Sequence, residues 1–292
     1  YAKNSIAVVG RFRKWPWGQH PDEAYLADGL QTCGIQVVKV DQDGYHEAAG
    51  QAEWVLYTSQ PASYGKMDRW AGSRKTILWT LDWLPDYQER GQIIDAGRAA
   101  TVFVSSDQYD WAGKYGIRNH FYLPAACESF HPPFNPKPHR SCAFLGSLYN
   151  ERRRSIASIV RSLKGEVLDR QAKWVYGPDL VRFVQGTKVV VGDNVRNDIQ
   201  GYWSSRNYVI TGAGGFLLTP NVPGIEKEFV AGKHVVLYSS IERLKEAIES
   251  CVEYDEKREA IRKAGFHHTR VNHNWAVRAR ALLEAVGIRK PV

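Results

Sequence analysis

The chain of 292 residues holds one methionine, four cysteines and no long apolar run. The cysteines, Cys33, Cys127, Cys142 and Cys251, stand far apart with no CxxC pair. This spacing argues against a disulfide framework or a cysteine zinc site, so a reducing cytoplasm is the expected setting. No stretch reaches the about 18 consecutive apolar residues that a membrane-spanning helix needs. The opening YAKNSIAVVGRF passes straight into a strand-like run with no basic-then-apolar leader, so no signal peptide is expected. Acidic residues are the minority among charges, 31 against 39 basic, for a net charge of +8. That excess favours anionic partners: nucleic acid, an anionic surface or a phosphorylated small molecule. What the chain does have is aromatic surface, with 10 tryptophans and 15 tyrosines, whose faces stack on sugars and bases. Its 43% hydrophobic and 24% charged content is that of a globular protein long enough for two domains.

Short apolar runs alternate with helical stretches. SIAVVGRF, IQVVKVD, AEWVLYTS, KTILWTLD and ATVFVSSD each read as a buried strand, and DEAYLADGLQTCG reads as an amphipathic helix closed by Gly34. Strands separated by helices form right-handed βαβ units and a parallel sheet, which binds ligands beyond the carboxyl ends of its strands. Four prolines in HPPFNPKPHR, residues 131–140, read as a stiff connector acting as a hinge. Alternation then resumes with SCAFLGS, the helix NERRRSIASIVRSLKG, AKWVYG, TKVVVGD, GGFLLT and HVVLYS, before a helical tail. The expected fold class is α/β, with two Rossmann-like domains facing across a cleft. Residues 1–130 form the first domain, 141–272 the second, and 273–292 a C-terminal helix that crosses back to the first.

In FLGSLYNERRRS, Gly146 and Ser147 fall at a strand end just before an arginine-rich helix. Glycine there lets a phosphate approach the N–H groups of a helix N-terminus, and arginine adds charge-assisted hydrogen bonds. Gly212, Gly214 and Gly215, in GYWSSRNYVITGAGGFLLTPNVPGIEKEF, form a second such approach. Tight packing is the competing explanation of the same glycines.

The segments YWSSRNYVITGAGGFLLTPNVPGIEKEFVAGKHVVLYSSIERLKEAI and RKAGFHHTRVNHNW resemble the C-terminal half of bacterial and phage GT-B glycosyltransferases of the group 1, spore-maturation-like type. FLGSLYNERR and YLPAACESFHPPF match that family's donor loop and interdomain crossing. The resemblance spans about residues 76–283 and is most specific in its second half. It implies a nucleotide-sugar donor, UDP-glucose or similar, held by the second domain, and an acceptor held by the first. It gives Gly212, Gly214 and Gly215 a close backbone approach to the donor, Glu226 or Glu228 a hydrogen bond to ribose or sugar hydroxyls, and Arg152 and Arg206 the diphosphate. With arginines on the diphosphate, no metal and no separate cofactor are expected. The paired glutamates of retaining members are replaced here by Gln200 and Tyr208, which leaves the stereochemistry open.

By similarity to inverting members, His20, in the loop entering the first helix, is the candidate base, because a neutral imidazole titrates near operating pH. Asp82 at the end of TILWTLDW orients it or replaces it, with Asp22 as a third candidate. A solvent-facing histidine and a turn-capping aspartate are the plainer alternatives. His267, His268 and His273 miss the spacing that puts two metal ligands on one helical face. GDN at 192–194 reads as a strand end facing the donor. In RFRKWPW, Arg11, Arg13 and Lys14 suit phosphates and Trp15 or Trp17 suits a splayed base. GT-B enzymes that glucosylate hydroxymethylated bases in phage DNA share this architecture, so such DNA is the favoured acceptor. A surface glycan, lipid or small metabolite is the alternative acceptor. A silent nucleotide-sugar-binding module and a sugar-nucleotide epimerase are the alternative functions.

Overall fold

The structure, a computed structural model, describes residues 2–10, 12, 22–41, 52–58, 75–80, 101–104, 116–128, 132–134, 137–169 and 175–288. The chain divides into two compact units, residues 1–125 with 275–292, and residues 126–274.

In the first unit, strands β1 (Ala2–Gly10), β2 (Gln36–Asp41), β3 (Ala52–Thr58), β4 (Lys75–Thr80), β5 (Thr101–Val104) and β6 (His120–Tyr122) form one sheet in the order β2-β1-β3-β4-β5-β6. Every pairing is parallel. Ile6, Ala7, Val8, Val55, Leu56, Tyr57, Ile77 and Leu78 are fully buried, the continuous apolar pattern of strands covered on both faces. Helix α1 (Asp22–Thr32) opens with Asp22 and Glu23, whose charges suit the positive end of the helix dipole. It buries Leu26, Ala27 and Leu30, and the chain leaves it through Gly34 at φ 85°.

The second unit repeats the winding. Strands β7 (Arg140–Leu145), β8 (Glu166–Leu168), β9 (Thr187–Val191), β10 (Leu217–Pro220) and β11 (Val236–Tyr238) lie in the order β11-β10-β9-β7-β8, again all parallel. Helices α2 (Glu151–Ser162), α3 (Gly177–Gln185), α4 (Arg206–Gly212), α5 (Leu244–Glu253) and α6 (Asp255–Asn272) accompany them. Phe144, Ile156, Val160, Val189, Val191, Phe216, Leu218, Leu244 and Ile248 fill one core. The described part of the proline-rich stretch belongs to this unit. Gln185 Nε2 donates to the Pro133 carbonyl at 2.9 Å, and Phe134 packs on Phe266 with ring centroids 5.0 Å apart. The division between the units therefore precedes the prolines, at Ala125, and is not made by them.

The last helix, α7 (Trp275–Ala285), belongs with the first unit. Trp275 meets Trp79 edge-on at 5.5 Å and stacks on Tyr25 at 6.5 Å. A Cβ on Gly29 would lie 2.6 Å from the Trp275 carbonyl oxygen, so α1 and α7 approach this closely only because residue 29 has no side chain. Among the described residues, no helix is long and apolar enough to cross a membrane.

Candidate functional site

In both sheets the strand order reverses beside the first strand, between β1 and β3 and between β7 and β9. Such a switch point opens a crevice at the carboxyl ends of its strands, because the two following connections leave on opposite faces. In the second unit, the Gly146 N–H donates to the Leu168 carbonyl at 3.1 Å and the Gly192 N–H to the Leu218 carbonyl at 2.7 Å. Those are the last bonds of the sheet there. Ser147 and Asp193 are the first residues beyond it.

Asp193 has no exposed side-chain surface. Its carboxylate accepts from Arg152 Nε at 2.9 Å on Oδ1 and Arg152 Nη2 at 3.3 Å on Oδ2, and from Arg153 Nε at 2.9 Å on Oδ2. Arg152 Nη2 also donates to the carbonyls of Asn194 and Val195, and Arg153 Nη1 donates to the Ser147 carbonyl at 3.4 Å. Arg206, at the start of α4, donates from Nη1 to the Asp193 carbonyl at 3.1 Å. Around one acid stand three arginines, so positive charge is in excess at the switch point. Asn150 caps α2 by accepting from the Arg153 N–H at 2.9 Å, and Asn194 Oδ1 accepts from the Ser204 N–H at 2.7 Å, which fixes the loop after β9. Burial and the neighbouring Asp193 push the Tyr238 phenol far above its usual range, and its hydroxyl donates to the Gly192 carbonyl at 3.1 Å.

Arg152 and Arg206, expected on a diphosphate, are thus brought to one place, with Ser147 beside them. The GDN segment lies at the end of β9, and within it the Asp193 carboxylate turns onto the arginines inside the protein. The three glycines are closely packed. A Cβ on Gly212 would lie 2.5 Å from the Cβ of Cys127, one on Gly214 3.0 Å from Gln185 Nε2, and one on Gly215 2.9 Å from Ile210 Cγ2. Gly212, Gly214 and Gly215 give their space to the protein's own packing, and Gly214 takes φ +83° to turn the chain from α4 towards β10. Tyr208 is buried and Gln200 exposed.

Glu226 and Glu228 separate in the same way. Glu226 is exposed on the short 3-10 turn Ile225–Lys227, which follows Gly224 at φ 87°. The Glu228 carboxylate is occupied internally: Tyr208 Oη donates to Oε2 at 3.0 Å, and His273 Nδ1 stands 2.9 Å from the same oxygen. His268 Nε2 lies 2.7 Å from the Glu228 carbonyl and 3.0 Å from His273 Nε2, and its ring stacks on His234 at 3.9 Å. Burial first, then the charges of His268, Lys233 and His273, bring His234 down to about 4; burial also lowers His268. Spacing along the chain did not reveal this cluster, because His234 lies on another element. His267 turns away against Phe266, ring centroids 5.5 Å apart. Among the described residues no group of three or more His, Cys, Asp or Glu is arranged to hold a metal ion.

In the first unit, His20, Asp82, Arg11, Arg13, Lys14, Trp15 and Trp17 lie outside the described residues. The carboxylate described at that switch point is Glu23, which the sequence reading passed over. It is 2% exposed and accepts from Thr58 Oγ1 at 2.8 Å, and its Cγ occupies the space 2.4 Å from where a Cβ on Gly10 would sit.

Residues 128–284 match the family model described as glycosyl transferase-like. Among solved structures, an alpha-glucosyltransferase in complex with UDP-glucose and DNA containing an abasic site superposes with TM-score 0.69 at 8% identity, covering 97% of this chain and 99% of that one. Sucrose-phosphate synthase from Thermosynechococcus elongatus gives 0.66 at 12% identity, covering 97% and 98%. Anabaena HepE in complex with UDP-glucose gives 0.62 at 10% identity, covering 97% and 99%. No curated protein sequence matches the chain. The fold is GT-B, built from two Rossmann-like units of the same winding.

Proposed function

Since the chain belongs to the glycosyl transferase-like family, we propose that this glycosyltransferase moves a sugar from UDP-glucose, or a similar nucleotide sugar, to the hydroxyl of a hydroxymethylated base in DNA. The observation that carries the donor half is the convergence of Arg152, Arg153 and Arg206 at the β7/β9 switch point, an excess of fixed cations where an open α/β sheet binds its ligand. Two of the similar structures hold UDP-glucose, which supports the donor. The acceptor half is supported by the DNA in one of them and by the net charge of +8.

In this reading the acceptor oxygen attacks the anomeric carbon, and the bond from that carbon to the diphosphate oxygen breaks. The hydroxyl proton passes to a base in the N-terminal unit, His20 or Asp82. The nucleoside diphosphate leaves with the electron pair, and Arg152 and Arg206 offset its growing charge. Fixed guanidinium groups supply the positive charge, so the reading needs no metal ion. A base inside a duplex is out of reach of such a site and is flipped out before transfer. Trp15 or Trp17 would receive it by stacking, and Arg11, Arg13 and Lys14 would hold the flanking phosphates.

The test is a mass-spectrometric screen of nucleotide-sugar donors against hydroxymethylated duplex DNA, lipids and small glycans. The expected result is a hexose added to the DNA from UDP-glucose. Transfer to a lipid or glycan, with DNA ignored at low salt, would remove the acceptor half and leave the donor half standing. Conversion of the donor without an acceptor would favour an epimerase, and binding without turnover a silent module.

A further inference from the structure

We infer that Asp193 is a positioning residue: it sets Arg152 and Arg153 so that the site reads a diphosphate in preference to a single phosphate. The inference rests on the nucleotide-sugar reading above. Asp193 itself cannot meet the donor, because its carboxylate is fully enclosed. Its effect passes through the two arginines.

Consecutive residues on a helix point about 100° apart, and side chains at i and i+1 do not face each other. Arg152 and Arg153 are consecutive in α2, carry the same charge, and still meet on one carboxylate, each through Nε at 2.9 Å. The buried acid is what draws them together against their mutual repulsion. Being held at Nε also decides which donors remain. Arg152 uses Nε and Nη2 within the chain, and Arg153 uses Nε and Nη1. Arg152 Nη1 and Arg153 Nη2 make no hydrogen bond among the described residues. Arg153 is only 3% exposed, yet its Nη2 is not fully enclosed, so that nitrogen stays open to an incoming anion.

One carboxylate offsets one of these two charges. The remainder is presented by two terminal nitrogens from a shared anchor, next to the Ser147 strand end. Two anionic phosphates in tandem can engage both; one phosphate cannot use the pair as fully. Asp193 thus contributes a fixed spacing between cations, which the arginines alone would not keep.

The experiment measures UDP and UMP affinities by calorimetry for the wild type, Asp193→Asn and Arg152→Lys, and GDP and ADP affinities for the wild type, with circular dichroism confirming the fold of each. The wild type should bind UDP more tightly than UMP. Asp193→Asn removes a negative charge from an anion site, so simple electrostatics predicts tighter UDP binding. The positioning role predicts the opposite: UDP affinity falls about 10-fold or more while UMP affinity is held, so the UDP-to-UMP ratio collapses. Arg152→Lys keeps the charge at a side chain that is 32% exposed, yet lysine cannot grip Asp193 and offer a second nitrogen at once. It should lose the ratio too, and it decides the matter if Asp193→Asn does not fold.

An unchanged ratio in folded Asp193→Asn, or in Arg152→Lys should the first variant not fold, overturns the inference. So does an equal loss of UDP and UMP, which marks Asp193 as structural only. Wild-type protein that binds UDP no better than UMP also overturns it while leaving the donor reading in place. Wild-type protein that binds none of UDP, GDP and ADP brings down the donor reading, and the inference with it, before any variant is made.

Discussion

His273 Nδ1 and Glu228 Oε2 stand 2.9 Å apart, joining the end of α6 to the residue that closes the Ile225–Lys227 turn. The contact continues inward. Trp203 Nε1 donates to Tyr208 Oη at 2.8 Å, and that hydroxyl donates to the same Glu228 oxygen at 3.0 Å. Each polar group in this row is satisfied by the next, so the carboxylate serves as an internal acceptor.

Glu228→Ala therefore removes the acceptor shared by Tyr208 and His273. Stability in urea should fall by about 1–3 kcal/mol, the cost of leaving buried donors without a partner, with UDP-glucose affinity unaffected. A stable variant that binds UDP-glucose poorly would restore Glu228 to the donor site.

The histidine cluster predicts a loss of stability in acid. His234 in the folded protein titrates at about 4, below the usual 6.5, so the unfolded chain binds more protons between those values. Its contribution is complete above pH 6.5 and is lost as the pH falls towards 4. The stacked His268, with Lys233 and His273 nearby, opposes any added charge. Urea unfolding across that window should show the wild type losing about 1–3 kcal/mol more than His234→Leu, which cannot titrate there. Equal pH slopes would remove the histidine from the account.

Arg206 and Glu226 should act on different parts of the donor. Arg206→Ala should weaken both UDP and UDP-glucose by about 1.5–3 kcal/mol, as expected for a lost charged hydrogen bond. Glu226 is exposed and makes no hydrogen bond or ion pair among the described residues. Its alanine variant should leave stability intact and weaken UDP-glucose binding. If UDP weakens equally, the carboxylate meets the ribose; if UDP is spared, it meets the sugar.

Gly212→Ala tests packing against ligand approach. The new methyl would stand 2.5 Å from the Cys127 Cβ, so α4 must shift from the 126–128 segment. The expected cost is about 1–3 kcal/mol of stability, as for overpacking a filled core. Donor affinity lost at unchanged stability would speak for the backbone approach that the sequence proposed.

Transfer should survive EDTA, and a requirement for added manganese or magnesium would contradict the arginine account of the diphosphate. His20→Ala should lower turnover by about 10²–10⁴-fold with DNA binding retained, as for loss of a general base. If Asp82→Ala is the more damaged of the two, the aspartate is the base.

The architecture was legible in the sequence because it rests on local periodicity. Runs such as SIAVVG and TKVVVG are apolar over the length of one strand, and the helices between them force parallel pairing. That Arg152 and Arg206 carry charge close to strand ends was legible for a related reason: both are properties of a few neighbouring residues. The partners of those residues are set at long range, and only the tertiary structure decided them. Asp193 lies 41 positions from Arg152, Cys127 fills the space beside Gly212 from the start of the unit, and His273 meets Glu228 from the end of α6. A glycine that yields to a ligand and one that yields to a cysteine look alike in a string of letters. Which of them this chain contains depends on what the crossover connections bring against it, and burial then settles whether a carboxylate serves a substrate or the protein's own arginines.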